Sequence, residues 1–182
     1  MVVIAGPNGA GKSTFYQSQL KSVGLEFVNA DVLAKEYGLD PYDAASAAGV
    51  LRHRLVEQRA SFIFETVFSD PNKQKLGFLV DCVSAGYNVV LFYIGLADAG
   101  LSEQRVAMRV AQGGHDVPCD KLADRMSRSL GNLRSAIKTL PHVFVFDNTD
   151  LFQPYRRLAY FRDGLAVNLA DLLPDWFRSL YS

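Results

Sequence analysis

The sequence predicts a three-layer α/β domain on a mainly parallel five-stranded sheet, with a C-terminal hairpin and helix. Three observations predict it. Short apolar runs alternate with helix-compatible segments from residue 2 to about residue 147. Several of those runs end in a polar tip, as strands do whose carboxyl ends face a ligand cleft. The first run leads directly into Gly6-Pro-Asn-Gly-Ala-Gly-Lys-Ser13, which fits G-x-x-x-x-G-K-[ST] at every fixed position.

The elements follow in order. Val2 to Ala5 is apolar throughout, as a central parallel strand is. A helix runs from about Lys12 to Lys21 and Gly24 stops it. A second strand at about 26 to 29 leads to Asp31 and a helix over Val32 to Tyr37. A long alanine-rich helix, Asp43 to Gln58, has Asp43 as its cap. Arg52 and Arg54 within it and Arg59 just beyond it read as solvated or salt-bridged. Ser61 to Thr66 is the third strand, followed by a helix from Pro71 to about residue 85. Tyr87 to Ile94, β-branched and aromatic, is the fourth strand. Ser102 or a neighbour caps a helix to about Gln112. Gly113-Gly-His-Asp-Val-Pro118 breaks it, and Asp120 starts another. His142 to Asn148 is the fifth strand. Arg162-Asp-Gly164 turns a hairpin outside the sheet proper, and Trp176 and Phe177 dock a short last helix on the core.

The bulk numbers bound the function. A chain of 182 residues, 49% hydrophobic, fills one core, so residues 1–182 read as a single domain. Nineteen basic and nineteen acidic residues cancel, which argues against a nucleic-acid partner without excluding a local patch. Cys82 and Cys119 have neither metal-ligand spacing nor a disulfide framework. No apolar run reaches a membrane span, and a strand starting at residue 2 leaves no room for a signal peptide. Together these favour a cytoplasmic protein with no membrane partner.

The motif carries specific chemistry. Glycines let the loop Gly6, Pro7, Asn8, Gly9, Ala10 and Gly11 turn its N–H groups toward phosphate oxygens. The helix it opens adds free N–H groups at Lys12, Ser13 and Thr14. Lys12 reaches the terminal phosphates and the Ser13 hydroxyl suits Mg²⁺. The expected ligand is ATP with Mg²⁺ on a P-loop NTPase fold of the nucleotide-kinase type. Transfer also needs an acceptor-activating base and positive charge at the transferring group. Asp31 is the candidate base, with helix capping as its alternative. Glu65 and Thr66, ending an apolar strand, suit an ion or a hydrogen-bonded substrate, with a structural ion pair as the alternative. Arg105 and Arg109 share a helix face. With Arg125 and Arg128 they make a helical lid at about 101–134, hinged at Gly113-Gly114. Asp147 and Asn148 either touch the nucleobase or cap a loop. A small-molecule kinase is favoured. A nucleic-acid-end kinase or NTPase, and a nucleotide-dependent interaction module, are the competing readings.

Five segments together resemble the zeta-toxin family, in its short stand-alone bacterial branch. They are Ala5 to Thr14, Phe27-Val-Asn-Ala-Asp31, Phe62-Ile-Phe-Glu-Thr66, Arg105-Val-Ala-Met-Arg-Val-Ala-Gln-Gly-Gly-His-Asp-Val-Pro118 and Asp147-Asn148. The resemblance implies a P-loop kinase that phosphorylates a hydroxyl of a sugar-nucleotide such as UDP-N-acetylglucosamine, and a separate antitoxin protein as partner. It implies that Lys12 and Ser13 serve phosphate and metal, and Asp31 is the base. Glu65 would help hold the sugar-nucleotide, and Arg109 with Arg125 or Arg128 would contact phosphate.

Overall fold

The computed structural model describes residues 1–111 and 119–181. Seven strands form one sheet: β1 (Val2–Ala5), β2 (Glu26–Val28), β3 (Phe62–Thr66), β4 (Val90–Gly95), β5 (His142–Asp147), β6 (Arg156–Arg162) and β7 (Leu165–Leu169). Their order is β2-β3-β1-β4-β5-β6-β7. The first five are parallel, and β6 and β7 continue the sheet antiparallel. The sheet is thus mixed and seven-stranded rather than five-stranded, with the parallel strands making up most of it. The hairpin is not an appendage, because β6 pairs with β5 from His142↔Arg162 to Asp147↔Arg156. Pairing satisfies the β5 edge, which would otherwise expose a row of backbone groups.

Period-two alternation sends side chains to opposite faces. Val3, Ala5, Phe62, Phe64, Leu91 and Tyr93 join one apolar cluster, and Ile4, Ile63 and Ile94 join the other. The first face is covered by α3 (Pro41–Glu57), α4 (Gln74–Ser84), α6 (Cys119–Thr139) and α7 (Asp175–Tyr181). The second is covered by Phe15 and its helix and by Ala99 and Leu101 of α5 (Ala99–Ala111). Trp176 and Phe177 are buried, as expected of a docking helix.

Cap chemistry moves several helix starts. α2 (Ala30–Tyr37) is capped by Asn29, whose Oδ1 accepts from Asp31 N and Val32 N, so Asp31 lies in the first turn and is not the cap. Asp40, not Asp43, caps α3, with Pro41 at the first helical position. Pro71 does not open α4: Lys73, at φ 52°, precedes a helix that starts at Gln74. Asp98 Oδ1 accepts from Leu101 N, so Ser102 is not a cap and lies inside α5. Helix α1 (Lys12–Phe15) passes into a π-helical stretch, Tyr16–Leu20, and a 3₁₀ turn, Lys21–Val23, that ends at Gly24. The Gly113-Gly114 hinge lies outside the described residues.

Candidate active site

The phosphate loop is gripped from outside. Gly6 has φ 145°, and a Cβ there would overlap the Ile94 carbonyl oxygen of β4. Gly11 has φ 84°, and its Cβ would stand 2.8 Å from Asn148 Nδ2. Neither position accepts an ordinary side chain. Asn148 Nδ2 donates to Ala10 O at 2.9 Å, Tyr155 OH to Gly11 O at 2.9 Å, and Ser102 Oγ to Asn8 O at 2.7 Å. Lys12 Nζ donates to Pro7 O at 3.0 Å. The loop's carbonyls are thus engaged, which leaves most of its N–H groups for an anion.

Four polar side chains converge beside it because β3 is the immediate neighbour of β1. The register Ile4↔Glu65 and Ala5↔Thr66 puts Glu65 level with the start of the loop. Glu65 Oε2 accepts from Ser13 Oγ at 2.8 Å and from Asn29 Nδ2 at 2.8 Å, and Oε1 lies 3.8 Å from Lys12 Nζ. Lys12 is buried. Burial pushes its ammonium below the usual lysine value. The charges of Glu65 and Asp31 oppose that shift, and Arg109 adds to it. Asp31 and Arg109 are therefore both within electrostatic reach of Lys12.

Two cavities flank this centre. One, of about 1100 Å³, is lined by Gly9, Gly11, Thr14, Phe15, Arg109 and Tyr155, on the side of α1 and the end of β5. The other, of about 350 Å³, opens at the carboxyl ends of β2 and β3 and includes Asp31, Glu65, Thr66, Arg52 and Arg125. Thr66 Oγ1 accepts from Phe68 N at 3.0 Å, and Phe68 is buried at φ 59°, a conformation uncommon for a bulky residue. Helix α6 pins that turn: Ser129 Oγ donates to Val67 O, Arg128 Nε to Ser69 O, and Asn132 Nδ2 to Phe68 O.

The four arginines separate. Arg105, expected among the lid arginines, lines the larger cavity and donates to Asn148 O at 2.8 Å and Thr149 O at 3.0 Å. Arg109 lies on that side too, whereas Arg125 lies in the smaller cavity. Arg128 holds the Ser69 carbonyl. Asp147 accepts from Thr149 and from Trp176 Nε1 at 3.3 Å and pairs with Arg156 at 3.5 Å, so the loop-capping alternative describes it.

Sequence reading missed Asn29, Tyr155 and Arg52. Asn29 was legible, since Asn directly before a helix is an N-cap signature. Tyr155 and Arg52 reach the site only through tertiary folding, and no local pattern marks them.

A Ser hydroxyl and a carboxylate 2.8 Å apart beside a phosphate loop are hard oxygen donors, which suit Mg²⁺. Among the described residues no group of three or more His, Cys, Asp or Glu forms a protein-only metal cage. Mg²⁺ takes one or two carboxylates and completes its shell with phosphate and water, so this donor set fits.

Comparison with known proteins places the chain. The Zeta toxin family profile matches residues 41–157, more than half of the sequence. The chain belongs to the zeta-toxin family. The matched segment begins after the phosphate loop and Asp31, so those positions rest on their own residues and geometry. No curated protein matches the sequence. Among solved structures, a chain of the AvrRxo1-ORF1:-ORF2 complex with ATP superposes with TM-score 0.72 at 15% identity, over 100% of this chain and 63% of that one. The complex with sulphate ions gives 0.70 at 16% identity over the same shares. A structure of the PezAT toxin–antitoxin system of Streptococcus pneumoniae gives 0.55 at 18% identity, over 92% of this chain and 69% of that one. The chain thus spans less than two thirds of the AvrRxo1 protein's length. At these identities the likeness establishes the fold. No helix among the described residues is long and apolar enough to cross a membrane.

Proposed function

We propose that the protein transfers the γ-phosphate of ATP to a hydroxyl of a small molecule seated in the cavity of Asp31 and Glu65. The observation that carries this reading is the placement of two cavities on either side of the Lys12, Ser13 and Glu65 cluster. The larger one has the phosphate loop as a wall and suits the nucleotide. The smaller one has a carboxylate that is not committed to the phosphate loop, Asp31.

Ser13 Oγ and the Glu65 carboxylate would hold Mg²⁺, which when bound neutralises phosphate charge. Lys12 binds the terminal phosphates in a site too dry for water to screen it. Asp31 accepts the acceptor's hydroxyl proton. The oxygen then bonds to the γ-phosphorus as the bond to the β,γ-bridging oxygen breaks, and ADP leaves. Arg109 from the nucleotide side and Arg125 from the acceptor side supply positive charge to the transferring group. As in the zeta toxins, the acceptor would be a sugar-nucleotide such as UDP-N-acetylglucosamine. A separate protein partner would restrain the enzyme, in line with the complexes that the AvrRxo1 and PezAT structures are named for.

Transfer from labelled ATP to candidate acceptors tests the reading. Wild type should label an acceptor, and Asp31→Asn should bind ATP yet label none. Full transfer by Asp31→Asn would overturn the base assignment.

A further inference from the structure

Asn29 does more than a helix cap requires. An N-cap needs one side-chain acceptor, and Asp, Ser or Thr would supply it. Asn29 supplies it with Oδ1, which accepts from Asp31 N at 2.7 Å and from Val32 N at 3.2 Å. The other end of the same amide is also committed, because Nδ2 donates to Glu65 Oε2 at 2.8 Å. The orientation of the amide follows from its partners. A backbone N–H can only donate, so the oxygen faces α2 and the NH₂ group faces the carboxylate. Asn29 is 5% exposed, so a bond lost at either end is not readily replaced by one to water.

Sheet register produces this bridge. The β2–β3 ladder pairs Val28 with Phe64, so Asn29 and Glu65 stand one step further along on adjacent strands. Asn29 follows β2 directly and opens α2 with extended backbone, two residues before Asp31. One short side chain therefore ties the end of β3 to the first turn of α2. Asn29, Asp31 and Glu65 all line the smaller cavity. The other partners of Glu65 belong to the phosphate loop and its helix: Ser13 at 2.8 Å and Lys12 at 3.8 Å. Those are the residues that phosphate and Mg²⁺ would claim. Asn29 is absent from the walls of the larger cavity, so a nucleotide seated there leaves it free to keep its hold on Glu65. A glutamate side chain is long and rotatable, and without that hold its carboxylate would have to be ordered anew at each turnover.

We propose that Asn29 is a positioning residue for phosphoryl transfer, whose amide fixes the Glu65 carboxylate relative to Asp31 and so sets the spacing between the phosphate side and the acceptor side of the centre. This rests on the kinase reading and deepens it. Capping alone leaves the NH₂ group without a task, whereas the tie to Glu65 uses both ends of the amide.

Asn29→Asp separates the two ends. Aspartate caps a helix as well as asparagine does, so α2 keeps its start. It has no N–H to give, and it sets a second carboxylate against Glu65, so the two repel or must share a proton. Melting temperature is measured for wild type, Asn29→Asp, Glu65→Gln and the double variant, in which the new amide can donate to the new carboxylate. Asn29→Asp should lower it by about 4 °C or more beside Glu65, and by much less in the Glu65→Gln background. No shift, or an equal shift in both backgrounds, overturns the tie. Transfer is then measured with ATP and Mg²⁺, with UDP-N-acetylglucosamine or whichever hydroxyl compound wild type labels as acceptor. Asn29→Asp should lower kcat by about 10- to 100-fold and leave the KM for ATP near its wild-type value. Added to Glu65→Gln it should cause little further loss, because the group it positions is already gone. An unchanged kcat, or a full additional loss in the Glu65→Gln background, overturns the positioning role while the kinase reading stands. If wild type transfers no phosphate, the kinase reading is at fault, and the melting cycle, which needs no acceptor, still upholds or overturns the tie.

Discussion

Ser13 Oγ donates a 2.8 Å hydrogen bond to Glu65 Oε2, across 52 residues of sequence. The bond joins the end of the phosphate loop to the end of the neighbouring strand, and the same oxygen accepts from Asn29. Glu65→Gln keeps the shape and removes the charge. Transfer should fall by about 100-fold or more, because the carboxylate contribution to the metal site is lost. The Mg²⁺ concentration for half-maximal rate should rise in parallel. An unchanged Mg²⁺ dependence would make Glu65 a substrate contact only.

Asp31→Asn tests the other carboxylate. General-base assistance contributes about 10²- to 10⁴-fold, so kcat should drop within that range while nucleotide affinity stays close to wild type. The asparagine remains in the first turn of α2, and the Asn29 cap is untouched, so the melting temperature should barely move.

Lys12 predicts a pH dependence. Burial lowers its folded-state pKa from 10.5, so above that lowered value the folded protein holds fewer protons than the unfolded chain. The penalty for burying the ammonium is thus fully present below the folded pKa and relieved as pH rises toward the unfolded one. Nucleotide binding has the opposite sign, since phosphate needs the charged form. ATP affinity should weaken as pH rises through the lowered pKa, before an exposed lysine would titrate. Calorimetry across neutral to alkaline pH should show this limb in wild type and a flat, weak profile in Lys12→Ala.

Gly6→Ala probes the close approach of β4 to the loop. The added methyl would meet backbone rather than a movable side chain, and φ 145° is itself unfavourable for alanine. Stability should fall by about 3 kcal/mol or more, with nucleotide binding lost as the loop is displaced. Denaturant unfolding and nucleotide titration measure the two effects.

Trp176 links the last helix to the site. Its ring occupies the space that a Cβ on Gly95 would need, and its Nε1 donates to Asp147. Trp176→Ala should cost about 3–5 kcal/mol, read as a lower melting temperature.

Much of this was legible in the chain and some was not. The loop, the five parallel strands and their polar tips follow from patterns of a few residues, which local physics fixes. Asp31 and Glu65 could be placed at strand ends without knowing strand order. Their meeting with Asn29 and Ser13 could not be placed, because it depends on β3 lying between β1 and β2. The arginines were visible as helix-face residues. Which cavity each would face depends on tertiary packing, so Arg105 turned to the β5 side and Arg52, set aside as solvated, turned inward. The hairpin was recognised by its Asp-Gly turn, but sheet membership is a long-range pairing that the turn does not encode.

The order of the strands also carries a message about time. The strand that bears the phosphate loop precedes the other strands of its sheet in the chain, yet Val2 pairs with Ile63 on one side and Val90 on the other. Contacts so distant in sequence form late and slowly. A growing chain thus holds its phosphate-binding segment without the neighbours that shape it until the later strands have been made. Glu65 reaches Ser13 only after β3 has docked, and Asn148 and Tyr155 must follow before the loop is gripped from outside. The polar cluster around the loop is therefore incomplete until nearly the whole sheet has been assembled.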